Sequence, residues 1–132
     1  MSSKRIAVIP ILERKGKRKL FLITSRTSRH WIIPTGKYED LLSAKQVAVL
    51  EAFEECGVGG VIDNKFCKNL SVRLTRKGPK RKIKLFRMYV DQVHSKWPEK
   101  SERERVLVPI TQLTQWIGNK QFAKQVIHFA SD

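Results

Sequence analysis

The 132-residue sequence predicts one α/β (α+β) domain, in which a mixed central sheet is flanked by helices. Three observations indicate this class. Short apolar segments with β-branched residues alternate with Gly-containing turns, a helical period begins at Ser43, and the final 20 or so residues return to a helical pattern. The length suits a single hydrophobic core, so we expect one domain over residues 1–132.

Two β-hairpins are predicted. Segments 5–12 and 19–25 are apolar and β-prone, and a glycine lies in the turn between them. Segments 69–75 and 82–90 form the second hairpin, joined by a basic turn that contains Gly-Pro. Between the hairpins we expect a short strand at residues 30–34, ended by a proline and a glycine.

A helix is predicted over residues 44–56, because Ser43 can act as its N-cap and Gly57 can end it. A short closing strand is expected at 106–109. The segments that follow, 110–118 and 120–130, form either one helix broken near a glycine or two short helices.

The charge of the chain is strongly unbalanced, with 27 Lys and Arg against 12 Asp and Glu and a formal net charge of +15. Such an excess implies an anionic partner, which could be a nucleic acid, a polyphosphate or an acidic membrane surface. A basic surface without a function explains scattered lysines equally well. The two cysteines have neither disulfide-framework nor metal-type spacing, which indicates a reducing, cytoplasmic setting. We expect no membrane-spanning segment, and a monomer, since no apolar interface stripe is visible.

The acidic residues Glu51, Glu54 and Glu55 fall within one arc of the predicted helix. An adjoining apolar arc is expected to be buried; it contains Ala48, Val49, Ala52, Phe53 and Cys56. Like charges at these spacings destabilise an isolated helix by a few tenths of a kcal/mol per pair. The cluster is therefore either a solvated acidic face or a site for a hard divalent cation, which prefers carboxylate and carbonyl oxygens.

The stretch from Gly36 to Val58 resembles the signature of the Nudix hydrolase family, G-x5-E-x7-R-E-U-x-E-E-x-G-U, where U is aliphatic. Seven of its nine specified positions fit, if Ala52 is accepted as an aliphatic residue. Leu42 stands in place of the first Glu, and Leu50 stands in place of the Arg. Upstream, Ser25-Arg26 and residues 31–34 (Trp-Ile-Ile-Pro) resemble the diphosphoinositol-polyphosphate and diadenosine-polyphosphate phosphohydrolases within that family.

The resemblance implies a Nudix-type α/β/α sandwich and a pyrophosphohydrolase activity that depends on Mg²⁺ or Mn²⁺. The substrate implied is a small anionic polyphosphate of the nucleoside or inositol type, and triphosphorylated RNA is an open alternative. Glu51, Glu54 and Glu55 are the implied metal ligands and catalytic residues, with the backbone carbonyl near Gly36 as a further ligand. One of the three glutamates, or a carboxylate from elsewhere in the chain, would serve as general base.

The basic residues are candidates for binding substrate phosphates, because Arg suits bidentate contacts and Lys acts as a point charge. Between Arg73 and Arg87 there are eight Lys or Arg and no acid, which also suits a solvated hairpin tip. We predict that the substrate-binding residues are Arg5, Arg26, Lys37, Lys82, Lys84 and Arg103.

The two departures from the signature favour an alternative function. In the family, the missing Glu and Arg help to fix the loop and to orient the helix carboxylates. With Leu42 and Leu50 in their place, the carboxylates should be harder to keep ionised without metal. The alternative is a catalytically impaired Nudix fold that acts as an RNA- or polyphosphate-binding module.

Overall fold

The computed structural model describes residues 4–131. Within this range, seven strands form one mixed sheet, accompanied by two α-helices and two short 3-10 helices. The strands are β1 (Arg5–Arg14), β2 (Lys17–Thr24), β3 (Trp31–Ile32), β4 (Thr35–Lys37), β5 (Val58–Arg73), β6 (Lys80–Val93) and β7 (Arg105–Pro109). The α-helices are α1 (Ala44–Cys56) and α2 (Lys120–Ser131), and the 3-10 helices are Lys100–Glu102 and Ile110–Gln115.

Strand β1 lies at the centre of the sheet. It pairs in parallel with β6 on one side and antiparallel with β2 and β4 on the other. Strand β5 continues the sheet beyond β6, while β3 and β7 both pair with β2. Because helices cover both faces, β1 is buried from Ile6 to Ile11 instead of alternating between buried and exposed residues.

Two apolar clusters lie on opposite faces of the sheet. Ile6 and Val8 of β1 face α1, whereas Ala7, Ile9 and Ile11 face α2. The predicted α/β/α sandwich is therefore confirmed. No helix within residues 4–131 is long and apolar enough to cross a membrane.

The caps predicted for α1 are those observed. The Ser43 hydroxyl accepts a hydrogen bond from the Gln46 N–H at 3.1 Å, and the Gln46 side chain accepts one from the Ser43 N–H at 2.7 Å. Gly57 ends the helix in the left-handed region, at φ 70°. The first hairpin is also confirmed, and its turn is the tight pair Lys15-Gly16, both with positive φ.

Several predicted strand boundaries were wrong. The strand predicted at 30–34 is limited to β3 (Trp31–Ile32), a separate strand β4 (Thr35–Lys37) follows it, and β5 begins at Val58 instead of residue 69. Gly60 lies inside β5 because a Cβ there would be 2.0 Å from the Tyr89 carbonyl oxygen of β6. This glycine therefore permits close pairing of β5 with β6. The closing strand β7 is confirmed, and the C-terminal region forms two separate helical segments.

Helix α1 is rotated relative to the expected orientation. Val49 and Phe53, which were predicted to be buried, are 41% and 38% exposed. The acidic arc, expected to face solvent, includes Glu55, which is only 6% exposed. The helix thus turns one of its carboxylates into the protein, and this rotation creates the candidate site.

Candidate active site

Two carboxyl groups one helical turn apart, those of Glu51 and Glu55, lie against the backbone of β4. The Thr35 N–H donates a hydrogen bond to Glu55 Oε1 at 3.0 Å. A Cβ added to Gly36 would be 2.4 Å from Cδ of Glu51, so only glycine allows this approach. The structure therefore brings together Gly36, Glu51 and Glu55, as the sequence predicted.

Burial raises the pKa of Glu55 to about 8. The neighbouring Arg103 opposes this rise, and the charge of Glu51 and a hydrogen bond between the two carboxyl groups add to it. Burial is also the main cause of the raised pKa of Glu51, which the same hydrogen bond lowers and the charge of Glu54 raises. At neutral pH the Glu51–Glu55 pair therefore holds a proton, which a divalent cation could replace.

Arg103 lies in a different setting from the one predicted. Its buried guanidinium forms ion pairs with Glu55 at 3.3 Å and with Glu99 at 2.9 Å. It also donates a hydrogen bond to the Thr24 carbonyl at 3.0 Å. All of these contacts point inward, so Arg103 fixes the Glu55 carboxylate, in contrast to the phosphate contact that the sequence had suggested.

The third glutamate of the predicted cluster is not part of the Glu51–Glu55 pair. Glu54 is half-buried, and its backbone carbonyl accepts a hydrogen bond from the Glu99 N–H at 3.0 Å. Among residues 4–131, no group of three or more His, Cys, Asp or Glu side chains is arranged so that it could hold a metal ion. The donor chemistry still suits Mg²⁺ or Mn²⁺, since Mg²⁺ typically uses one or two carboxylates together with waters and substrate phosphates.

The predicted phosphate-binding residues are dispersed. Arg5 is half-buried and lines a cavity of about 190 Å³, which adjoins Thr35. Arg26 is exposed and forms an ion pair with Glu102 at 3.3 Å. Lys37 is exposed. The remaining two lie on β6: Lys82 is exposed and lines a separate cavity of about 240 Å³, and Lys84 is half-buried.

The positions where the signature is broken are apolar in the structure. Leu42 and Leu50 line one open hollow of about 420 Å³ on the outer side of α1, together with Val49. Leu42 also packs against the apolar cluster beneath the helix. A positive charge next to the pair comes from Arg103, which follows the first 3-10 helix and contacts Glu55 at 3.3 Å.

Sequence analysis did not identify the residues that hold the C-terminal end of α1. Trp97 Nε1 donates to the Glu55 carbonyl at 3.1 Å, and Arg105 Nη1 donates to the Cys56 carbonyl at 2.9 Å. The Arg105 guanidinium lies 4.1 Å from the centroid of the Trp97 ring. The signal in the sequence is one tryptophan, Trp97, followed by Arg103 and Arg105 after β6, and the contacts of these residues cannot be read from local patterns.

No family model matches the sequence, and no curated protein matches it. Solved structures do match over nearly the whole chain. An Ap4A hydrolase from C. elegans has a TM-score of 0.75 at 15% identity, covering 99% of this chain and 98% of its own. A Nudix hydrolase from Nitrosomonas europaea gives 0.74 at 15% identity, with 97% and 87% covered. The Nudix domain of Shewanella oneidensis NrtR, solved with ADP ribose, gives 0.73 at 13% identity, with 97% and 85% covered. At these identities the similarity establishes a shared fold.

Proposed function

We propose that this chain, which has the Nudix fold, is a metal-dependent pyrophosphohydrolase that cleaves a phosphoanhydride bond in a small anionic polyphosphate. One observation carries the proposal. The buried Glu51–Glu55 pair lies against the backbone of β4 and is held by the Thr35 N–H and the Arg103 guanidinium. A pair of partly buried carboxyl groups with raised pKa values is a common feature of catalytic sites.

The residues of the pair have defined tasks in this proposal. Glu51 and Glu55 would hold the cation together with the backbone carbonyl of Gly36, and Arg103 would keep the Glu55 carboxylate in place. A bound Mg²⁺ or Mn²⁺ would neutralise phosphate charge and activate water. We place the general base among Glu51, Glu54 and Glu55, since each belongs to the same helix face.

The charge of the protein supports an anionic substrate. Arg5 lines a cavity together with Thr35, whose N–H donates to Glu55, so a cationic group is present next to the carboxyl pair. Two proteins of similar structure are linked to such compounds by name: one is an Ap4A hydrolase, and the other is a Nudix domain solved with ADP ribose. We propose a nucleoside or inositol polyphosphate as the substrate, with Arg26, Lys37, Lys82 and Lys84 as further phosphate contacts.

A second function is supported by a specific observation. Leu42 and Leu50 line an apolar hollow at the two positions where the Nudix signature has a Glu and an Arg. Among residues 4–131, no three His, Cys, Asp or Glu side chains are grouped so that they could hold a metal ion. A chain with these features could bind RNA or polyphosphate without hydrolysing it. The two functions differ in what the Glu55 carboxylate does, because only the enzyme requires it.

Phosphate release is the test that separates them. The panel contains inositol pyrophosphates, dinucleoside polyphosphates, nucleoside diphosphate sugars and triphosphorylated RNA, each with Mg²⁺, with Mn²⁺ and with EDTA. Wild type is compared with Glu55→Gln and with Glu13→Gln, a matched control whose side chain lies near the opposite end of β1 and pairs with Arg18. An enzyme shows metal-dependent turnover that is lost in Glu55→Gln and kept in Glu13→Gln.

The opposite pattern would assign the binding function. A pure binder shows no turnover on any member of the panel, and Glu55→Gln binds its anion as well as wild type or better, having lost a negative charge. Binding of Mn²⁺, followed by electron paramagnetic resonance, gives a readout independent of turnover. We expect Glu55→Gln to weaken Mn²⁺ binding and Glu13→Gln to leave it unchanged.

A further inference from the structure

A second charged feature adjoins the carboxyl pair. The start of β1, the region around β3 and β4, and the loop that joins β5 to β6 enclose a cavity of about 190 Å³. We call it the arginine cavity, because Arg5 and Arg81 both line it; its polar lining also includes Ser25, Thr35 and Thr75. Arg81 was not among the residues predicted to bind substrate.

The like charges of Arg5 and Arg81 make the arginine cavity electrostatically unfavourable when no anion is bound there. Within residues 4–131, the Nε of Arg5 is a buried side-chain nitrogen with no hydrogen-bond partner. Burial lowers the pKa of Arg5, and the charge of Arg81 lowers it further. A buried donor without a partner costs about 1–3 kcal/mol, and more when it is charged. An anion in the cavity would offset the repulsion between the two guanidinium groups.

The arginine cavity is connected to the carboxyl pair through Thr35. This residue lines the cavity, and its N–H donates to Glu55 Oε1 at 3.0 Å. The Glu55 charge also lies close enough to Arg5 to oppose the lowering of the Arg5 pKa. A polyphosphate chain bound at the carboxyl pair could therefore extend into the arginine cavity without leaving the protein surface.

We propose that Arg5 and Arg81 bind a phosphate group of the substrate that lies beyond the two phosphates joined by the cleaved bond. Guanidinium groups suit this task because they make bidentate, charge-assisted hydrogen bonds to phosphate oxygens. A cavity of about 190 Å³ is smaller than the roughly 300–1,000 Å³ of pockets that hold drug-sized ligands, so its volume suits a phosphate group better than a whole nucleotide. The inference rests on the proposed function and narrows it to substrates with at least one phosphate beyond the reacting bond.

The test measures binding of inorganic tripolyphosphate by isothermal titration calorimetry, in EDTA and without phosphate buffer. Wild type is compared with Arg81→Gln, Arg5→Met and Lys77→Gln. Lys77 is a matched control, because it lies in the same loop, is exposed, and does not line the cavity. Losing hydrogen bonds to a charged group, at about 1.5–3 kcal/mol, corresponds to roughly 10- to 100-fold weaker binding. We expect that loss for both arginine variants and less than about threefold for Lys77→Gln.

Thermal unfolding of Arg5→Met provides a second readout. Since the Nε of Arg5 has no partner, its removal should leave the melting temperature unchanged or raise it while binding weakens. A residue with only a structural role would instead lower the melting temperature. Equal tripolyphosphate affinity in Arg81→Gln and Lys77→Gln would overturn the inference even if the enzyme turns over its substrate.

The remaining outcomes separate this inference from the proposed function. If tripolyphosphate binding depends on both arginines and no substrate is hydrolysed, the phosphate site stands and the proposed enzyme does not. Competition experiments then identify the source of the phosphate. Displacement of tripolyphosphate by a dinucleoside polyphosphate supports a small-molecule substrate, whereas displacement only by a 5′-triphosphorylated oligonucleotide would overturn that assignment in favour of an RNA end.

Discussion

The pKa of Glu55 predicts how the stability of the protein changes with pH. In the folded chain this carboxyl group keeps its proton up to a pH of about 8, whereas its ordinary value is 4.5. Between these values the folded state binds more protons than the unfolded state does. The free energy of unfolding must therefore fall as pH rises from about 4.5 to 8, and the loss is complete above that range.

The size of the effect follows from the same two values. One pKa unit is worth about 1.4 kcal/mol, so the change from 4.5 to about 8 corresponds to on the order of 5 kcal/mol. The Glu55→Gln variant carries no titrating group at this position, and its amide oxygen can still accept from the Thr35 N–H. We expect the stability of this variant to depend on pH much less than that of wild type, with Glu51 as the remaining carboxyl group of raised pKa, and the variant to be more stable than wild type at pH 8.5.

Urea unfolding followed by far-UV circular dichroism, in EDTA at pH 5.5, 7 and 8.5, would measure the change. The Glu54→Gln variant is the control, because Glu54 lies on the same helix, is half-buried and is outside the hydrogen-bonded pair. It should keep the pH dependence of the wild type. A wild-type stability that is flat or rises from pH 5.5 to 8.5, or a Glu55→Gln variant with unchanged slope, would refute the reasoning.

Three further changes have expected outcomes. Gly36→Ala places its Cβ 2.4 Å from the Glu51 side chain, which must move aside; we expect kcat to fall about 10- to 100-fold with little change in melting temperature. Arg87→Met removes the buried partner of Asp63, an ion pair at 2.6 Å, and should lower the free energy of urea unfolding by about 3–5 kcal/mol. Ser43→Ala removes the N-cap of α1 and should cost about 1 kcal/mol in the same assay.

Local patterns predicted those parts of the fold whose causes are local. Ser43 and Gly57 bound α1 as expected because a cap and a left-handed residue act within a few residues of the helix end. The Lys15-Gly16 turn fixes the first hairpin for the same reason. The grouping of Gly36 with Glu51 was predicted through the resemblance to the Nudix signature, which specifies both positions.

The remaining features depend on contacts between distant parts of the chain. The helical period identifies an apolar arc on α1, but the orientation of the helix depends on the shape of the sheet beneath it. The observed rotation leaves Phe53 exposed and buries Glu55. Similarly, the pairing of Glu55 with Arg103, 48 residues away, could not be predicted from spacing. Predicting such a contact requires the path of the chain after β6.

The contacts of Arg103 bear on the two positions, Leu42 and Leu50, at which the sequence departs from the Nudix signature that it resembles. At Leu42 and Leu50 the charged groups are replaced by side chains that line one apolar hollow, so neither position leaves a charge without its partner. The need for a cation beside the helix carboxylates is then met by Arg103, whose guanidinium is itself fixed by Glu99. A buried carboxylate without such a neighbour would be still harder to ionise. In the proposed enzyme, the apolar residues at 42 and 50 and the position of Arg103 would act together to keep Glu55 able to ionise and bind a cation.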